Sequence, residues 1–372
     1  MNGNSRRVLI QALLFLTTLV TTTLAGAEWT FGRSIFMPDY SWQDFRSGLP
    51  FSIPFLLCLT VHEFGHYFTA MFHKVGATLP YYLPMPPFPY SIGTMGAVIR
   101  LRRKGHSRQQ NFDIGIAGPL AGFVMALAVL YYGFTHLPPP EYIFEIHPQY
   151  KQYGLNYAEF VYNEQPEGIL DVTMGKNLLF LFFEKFVADP ARVPNPHEMM
   201  HYPFLFAGYL ALVFTCLNLL PIGQLDGGHV VYGLFGYKIH RIIATVFFVV
   251  LLFYSGLGVV DPADSPDKLV LWIPGFAFFL YLALTGLSLS TRDTIMYALL
   301  ILAGQLLVTL TLPMIEGYSG WLLFSFILGR FIGIQHPPSD VEEPLDSKRV
   351  VLGWIALVIF VICFSPAPIV FK

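Results

Sequence analysis

The chemistry in this chain gathers at His62-Glu63-Phe64-Gly65-His66, an H-E-x-x-H pattern. Residues four apart on an α-helix share one face, so His62 and His66 can offer imidazole nitrogens to a single cation such as zinc. Glu63 sits about 100° further round, where it can reach a water on the metal without ligating it. The pattern falls inside an apolar stretch, and ionisable groups in such a stretch are costly unless they pair, coordinate or line a wet cavity. A functional site is therefore the default reading. The plainer alternative is a hydrogen-bonded cluster that holds helices together.

Catalytic zinc commonly takes three protein ligands and keeps a position for water, so a third donor should come from elsewhere at similar depth. Asp113 fits a helix cap or an interfacial position better than ligation. The stretch ending at Asn218 continues as Leu219-Leu220-Pro221-Ile222-Gly223-Gln224-Leu225-Asp226-Gly227-Gly228-His229. Pro221 and Gly223 disfavour further helix, and Gly227-Gly228 permits a tight return of the chain. Broken backbone at membrane depth is tolerated where it is buried or lines a cavity. Counted from Pro50, His62 and His66 lie about 18 to 24 Å along their helix, and counted from Pro203, Asn218 lies about 23 Å along its own. The two are level, which makes Asp226 and His229 the rival third ligands.

The elements that must position these residues are apolar helices. Of 372 residues, 54% are hydrophobic and 12% charged, with 22 Lys+Arg against 24 Asp+Glu. That composition excludes a nucleic-acid binder, a disordered chain and a disulfide-rich secreted domain. Cys58, Cys216 and Cys363 are dispersed in apolar runs and suggest neither a disulfide nor a thiolate metal site. Nine stretches approach the length of a membrane span, at 8–24, 50–72, 113–132, 203–220, 242–260, 269–287, 294–312, 321–334 and 350–370. The expected fold is all-α and polytopic, with about nine transmembrane helices. It divides into a first helix and linker (1–49), a core (50–240, with an external loop at 134–202) and C-terminal helices (241–372).

Placing Arg6 and Arg7 in the cytoplasm puts most Lys and Arg on that side, including Lys74, Arg100, Arg102, Arg103, Lys104 and Arg108. Arg6-Arg7, an apolar run and Ala25-Gly26-Ala27 also fit a signal peptide, but a retained helix is preferred because the run is long for one. Prolines 84, 86, 87 and 89 forbid a helix in 80–103, and 93–101 is rich in β-compatible residues, so an extended segment or small hairpin is expected there. Residues 177–186 are too few to span and suit an interfacial helix or a loop packed on the bundle.

The chain resembles the site-2 proteases, intramembrane zinc metalloproteases. The resemblance rests on His62-Glu63-Phe64-Gly65-His66, on Gly115-Ile116-Ala117-Gly118-Pro119-Leu120-Ala121-Gly122, and on Asn218-Leu219-Leu220-Pro221 with Leu225-Asp226-Gly227-Gly228. It covers about 50–240 and implies that His62, His66 and Asp226 hold one zinc ion, with Glu63 as general base and acid. It implies that Asn218 steadies substrate or oxyanion, and that Gly93, Thr94, Met95, Gly96 and Ala97 belong to a re-entrant β segment able to pair with an extended substrate. Gly115, Gly118 and Gly122 have the spacing that lets helices approach closely, and the likeness implies approach to the metal-bearing helix. Unlike many bacterial members, the sequence shows no evident PDZ domain.

The expected reaction is peptide hydrolysis within or next to transmembrane segments of single-span membrane proteins, in regulated intramembrane proteolysis. The expected place is the bilayer of a bacterial cell membrane, with the site toward the cytoplasm. A zinc transporter using the same ligands is the competing function, but it would favour several stacked ionisable sites, and only one is legible. A scaffold with a decayed site fits poorly with an intact ligand set.

Overall fold

A computed structural model describes residues 3–102, 107–162 and 172–371. Arg103 and Lys104, two of the basic residues used above to orient the chain, lie outside the described residues, as do 163–171 of the 134–202 loop. The described chain is mostly helical and divides into two compact units. The first comprises Met1–Lys104, Ile116–Asn218 and Val358–Lys372; the second comprises Gly105–Gly115 and Leu219–Leu357.

In the first unit, α1 (Gly3–Phe31), α2 (Trp42–Ser47) and α3 (Leu49–Phe72) are followed by β1 (Tyr81–Pro84) and β2 (Thr94–Val98). Most of α4 (Arg108–Thr135), then α5 (Ile143–Ile146), α6 (Tyr157–Val161), β3 (Val172–Met174), α7 (Leu178–Phe186) and α8 (Pro203–Asn218) complete it, together with β4 (Ile369–Phe371). Helix α3 packs against both α1 and α8. The hydroxyls of Thr22 and Thr23 donate to carbonyls one turn earlier in α1, at 2.7 Å each, so these polar groups are satisfied within an apolar helix. Strands β1 and β2 form the expected hairpin, antiparallel, with Tyr82 opposite Ala97 and an irregularity before Pro84 opposite Thr94. In α7, Asn177 caps the first turn through Phe180 N at 2.8 Å. Phe180 and Phe183 are buried while Leu178, Phe182 and Phe186 are exposed, as an amphipathic helix requires.

The second unit begins with the first turns of α4 and adds α9 (Asp226–Ser255), α10 (Pro266–Leu284), α11 (Thr291–Thr311), α12 (Gly320–Ile327) and most of α13 (Ser347–Cys363). Its core is aliphatic and aromatic, built on Phe248, Leu252, Leu280, Leu284, Leu302 and Leu328. Helix α9 starts sixteen residues before the apolar stretch at 242–260. Its axis breaks at Gly236, where φ is 76° and ψ 174°, a backbone state that suits glycine.

Each of the nine apolar stretches overlaps a helix, although 242–260 runs past the end of α9 at Ser255 and 350–370 past the end of α13 at Cys363 into β4. Among the described residues, five helices are long and apolar enough to cross a bilayer: Ser5–Phe31, Arg108–Thr135, Asp226–Ser255, Pro266–Leu287 and Thr291–Thr311. Helix α3 has 24 residues but is not among the five, because His62, Glu63 and His66 lower its hydropathy. Arg7, Arg100 and Arg102 line one pocket of about 550 Å³, so the start of α1 and the chain after β2 share a face.

Candidate active site

Helix α3 carries His62, Glu63 and His66, all buried, and its 3.6-residue turn sets both histidines on one face. Their Nε2 atoms lie 3.0 Å apart, with the rings edge to face at 75°. Two ligands at tetrahedral angles on zinc, with bonds near 2.0–2.1 Å, stand about 3.4 Å apart. The two imidazoles therefore converge at nearly the spacing of a shared cation. The donor set of neutral nitrogens suits zinc.

Helix α4 makes room for those rings by omission. A Cβ on Gly118 would meet His66 Nε2 at 2.1 Å, and one on Gly122 would meet the His62 Cβ at 3.0 Å. In return Gly65 of α3 approaches Ala117, whose carbonyl oxygen would stand 2.6 Å from any Cβ at Gly65. Three glycines thus let the two backbones close on each other while the imidazoles fill the space between. This is the close approach expected from the glycine spacing. Gly115, by contrast, packs against the His229 ring in the second unit.

Asn218 ends α8, and its Nδ2 lies 3.4 Å from His62 Nε2. Like Gly118 and Gly122, it stands beside the histidines within the first unit. The Thr60 and Tyr82 hydroxyls meet at 2.6 Å, tying α3 two residues before His62 to strand β1.

The hairpin itself is bound to α1. Thr21 Oγ1 donates to the Gly93 carbonyl at 2.6 Å, Trp29 Nε1 donates to the Ser91 carbonyl at 3.0 Å, and Gln11 Nε2 donates to the Leu79 carbonyl at 2.6 Å. Gly93 has φ +77°, and a Cβ there would meet the Thr21 carbonyl oxygen at 2.4 Å. Within Gly93–Ala97, Thr94 is buried and bonds the Leu83 carbonyl at 3.0 Å, while Met95 is 63% exposed. Gly96, at φ +105°, lies beside Phe214 of α8.

In the second unit, Asp226 is the first residue of α9. The chain before it turns back sharply: a Cβ on Gly227 would meet the Leu219 carbonyl oxygen at 2.0 Å, and one on Gly228 the Gly223 carbonyl oxygen at 2.2 Å. This is the tight return anticipated from Gly227-Gly228. His229 is engaged by His336, with Nδ1 2.8 Å from its Nε2. Asp113 is not a cap. Helix α4 begins at Arg108 and Ser107 Oγ accepts from Gln110 N at 3.1 Å, while Asp113 receives both Nε and Nη2 of Arg349 at 2.7 Å.

Residues 50–257 match the family described as peptidase family M50. Among curated proteins, the chain is 26% identical over 197 residues to the probable zinc metalloprotease EGY1, chloroplastic, of Oryza sativa subsp. japonica, covering 51% of this chain and 29% of that protein. It is 25% identical over 196 residues to the EGY1 of Arabidopsis thaliana (51% and 30%). It is 24% identical over 223 residues to the probable zinc metalloprotease EGY2, chloroplastic, of Oryza sativa subsp. indica (55% and 35%). The matched segments thus span about a third of those relatives' lengths. No solved structure matches. With the family match covering more than half the chain and containing the paired histidines, Glu63 and Asn218, this protein belongs to peptidase family M50.

Proposed function

We propose that this protein is an intramembrane zinc metalloprotease that hydrolyses peptide bonds within or next to the transmembrane segments of single-span membrane proteins. The observation that carries the reading is the convergence of His62 and His66 Nε2, 3.0 Å apart on a buried helix with Glu63 between them. His62, His66 and Asp226 would hold the ion. For Asp226 the support is covalent: the returning chain presses Gly227 onto the carbonyl of Leu219, the residue next to Asn218, and the carboxylate is the one adjacent to that turn. Bound there, zinc would supply a Lewis acid that acidifies water and polarises the scissile carbonyl.

The remaining work falls to the chain's own groups. Glu63 takes the proton of the attacking water and passes it to the leaving amine. Asn218, its amide nitrogen beside His62, donates a hydrogen bond to the carbonyl oxygen as negative charge develops on it. A helical substrate hides its carbonyls in hydrogen bonds, so it must unwind before cleavage. Strand β2, paired only with β1 among the described residues, offers an edge on which residues Gly93–Ala97 can receive an extended segment. We place the site toward the cytoplasm of a bacterial cell, from the basic face that includes Arg7, Arg100 and Arg102. The plant relatives are named as chloroplastic, and fractionation of the native membranes decides between the two compartments.

The test is Glu63→Gln, assayed for zinc content and for cleavage of a single-span substrate in proteoliposomes. Zinc should stay bound while cleavage falls by about 10²–10⁴-fold. Undiminished cleavage would remove Glu63 from its role. Zinc flux in the same vesicles would instead support a transporter.

A further inference from the structure

We propose a second metal site, distinct from the residues on α3, in the connection between α4 and α8: His147, Glu198 and His201 together bind one zinc-type divalent cation. His147 follows α5, Glu198 precedes the short turn Met199–His201 that leads into α8, and His201 is the last residue of that turn. Their donor atoms lie within 4.8 Å of one another. His147 Nε2 is 3.2 Å from His201 Nε2, His201 Nε2 is 3.4 Å from Glu198 Oε2, and His147 Nε2 is 3.6 Å from the same oxygen. Those three edges bracket the spacing of about 3.4 Å expected between ligands on tetrahedral zinc. Two imidazoles and a carboxylate are also a donor set that zinc takes readily, with a fourth position left for water.

The surrounding hydrogen bonds orient the three side chains toward one another. His201 Nδ1 lies 2.7 Å from the Thr30 carbonyl oxygen, which can only accept, so Nδ1 carries a proton and Nε2 is the atom left to face the trio, with a lone pair for a cation when the ring is neutral. The Tyr162 hydroxyl donates to Glu198 Oε1, leaving Oε2 as the atom facing the imidazoles. Glu198 is 1% exposed, so water does not dilute the charge of its carboxylate. The Thr30 carbonyl and the Tyr162 hydroxyl are the kind of outer partners that orient ligands around a metal. Tyr142 adds to the frame by donating to the His201 carbonyl at 3.0 Å. The ion would staple the connection before α8 to itself and, through Thr30, to the end of α1.

The experiment counts metal per chain in the purified full-length protein. Elemental analysis after equilibration with zinc should find two ions in the wild type, one in His62→Ala/His66→Ala, one in His147→Ala, and none when the substitutions are combined. Glu198→Gln, which keeps the shape of the side chain beside Tyr162, should also carry one. Cobalt loaded into the His62→Ala/His66→Ala protein should give the visible absorption of a low-coordinate site, and that band should vanish with His147→Ala. His147 is the partly exposed member of the trio, so its replacement is the least disturbing to folding. If the monodisperse wild type and the His147→Ala protein bind the same number of ions, or if the His62→Ala/His66→Ala protein binds none, the second site does not exist. A protonated His201 paired with Glu198 would then account for the cluster.

Discussion

The His66 imidazole occupies the space that any side chain on Gly118 would need, with Nε2 2.1 Å from the position of a Cβ. The His66 ring and the facing helix are therefore fitted to each other at one glycine. Gly118→Ala should swing His66 off its position and lower both zinc affinity and cleavage by about 100-fold or more, beyond the loss usual for an outer-shell change. Gly122→Ala, where the nearest contact is 3.0 Å, should cost far less. Zinc titration of both variants separates a fitted ligand from a merely crowded helix; equal effects would refute the distinction.

Asn218 stands beside the histidines without the chemistry of a strong zinc ligand. Asn218→Ala should retain zinc and lower kcat by about 10²–10³-fold with little change in KM, as loss of an oxyanion donor does. A rise in KM alone would make it a substrate-positioning residue.

Gly93 combines a positive φ with contact against the α1 backbone. Gly93→Ala should detach the hairpin from α1, at a cost of about 2 kcal/mol or more from strain and overpacking. Protease sensitivity within 80–102 should rise while zinc content stays constant. Unchanged protection would show that the hairpin is held by other contacts.

Tyr82→Phe removes the hydroxyl that meets Thr60 and should cost about 1 kcal/mol of stability. Thermal unfolding in detergent measures it. Activity well below that small loss would indicate that β1 helps to aim the following turn of α3.

The pairing of His62 and His66 was legible in the sequence because helix periodicity is local: two histidines four apart need nothing beyond their own helix to share a face. The hairpin was legible for a similar reason, since clustered prolines exclude a helix and the residues after them favour strands. The first turns of α9 were not. Gly227-Gly228 were read as the end of a turn, and they also begin a helix that breaks at Gly236 before resuming in the apolar stretch. Asp113 was expected to cap a helix or lie at the interface, and its ion pair was not legible because its partner, Arg349, is 236 residues away. The trio of His147, Glu198 and His201 has no periodicity either, and its histidines are 54 residues apart on irregular chain.

The bidentate clamp between Asp113 and Arg349 bears on anyone trimming this protein for crystallography. A fragment cut at residue 257, where the family match ends, would lose the guanidinium that Asp113 accepts from, near the start of the helix that carries Gly118. Such a fragment should keep α13 as an integral beam rather than discard it as an appendage.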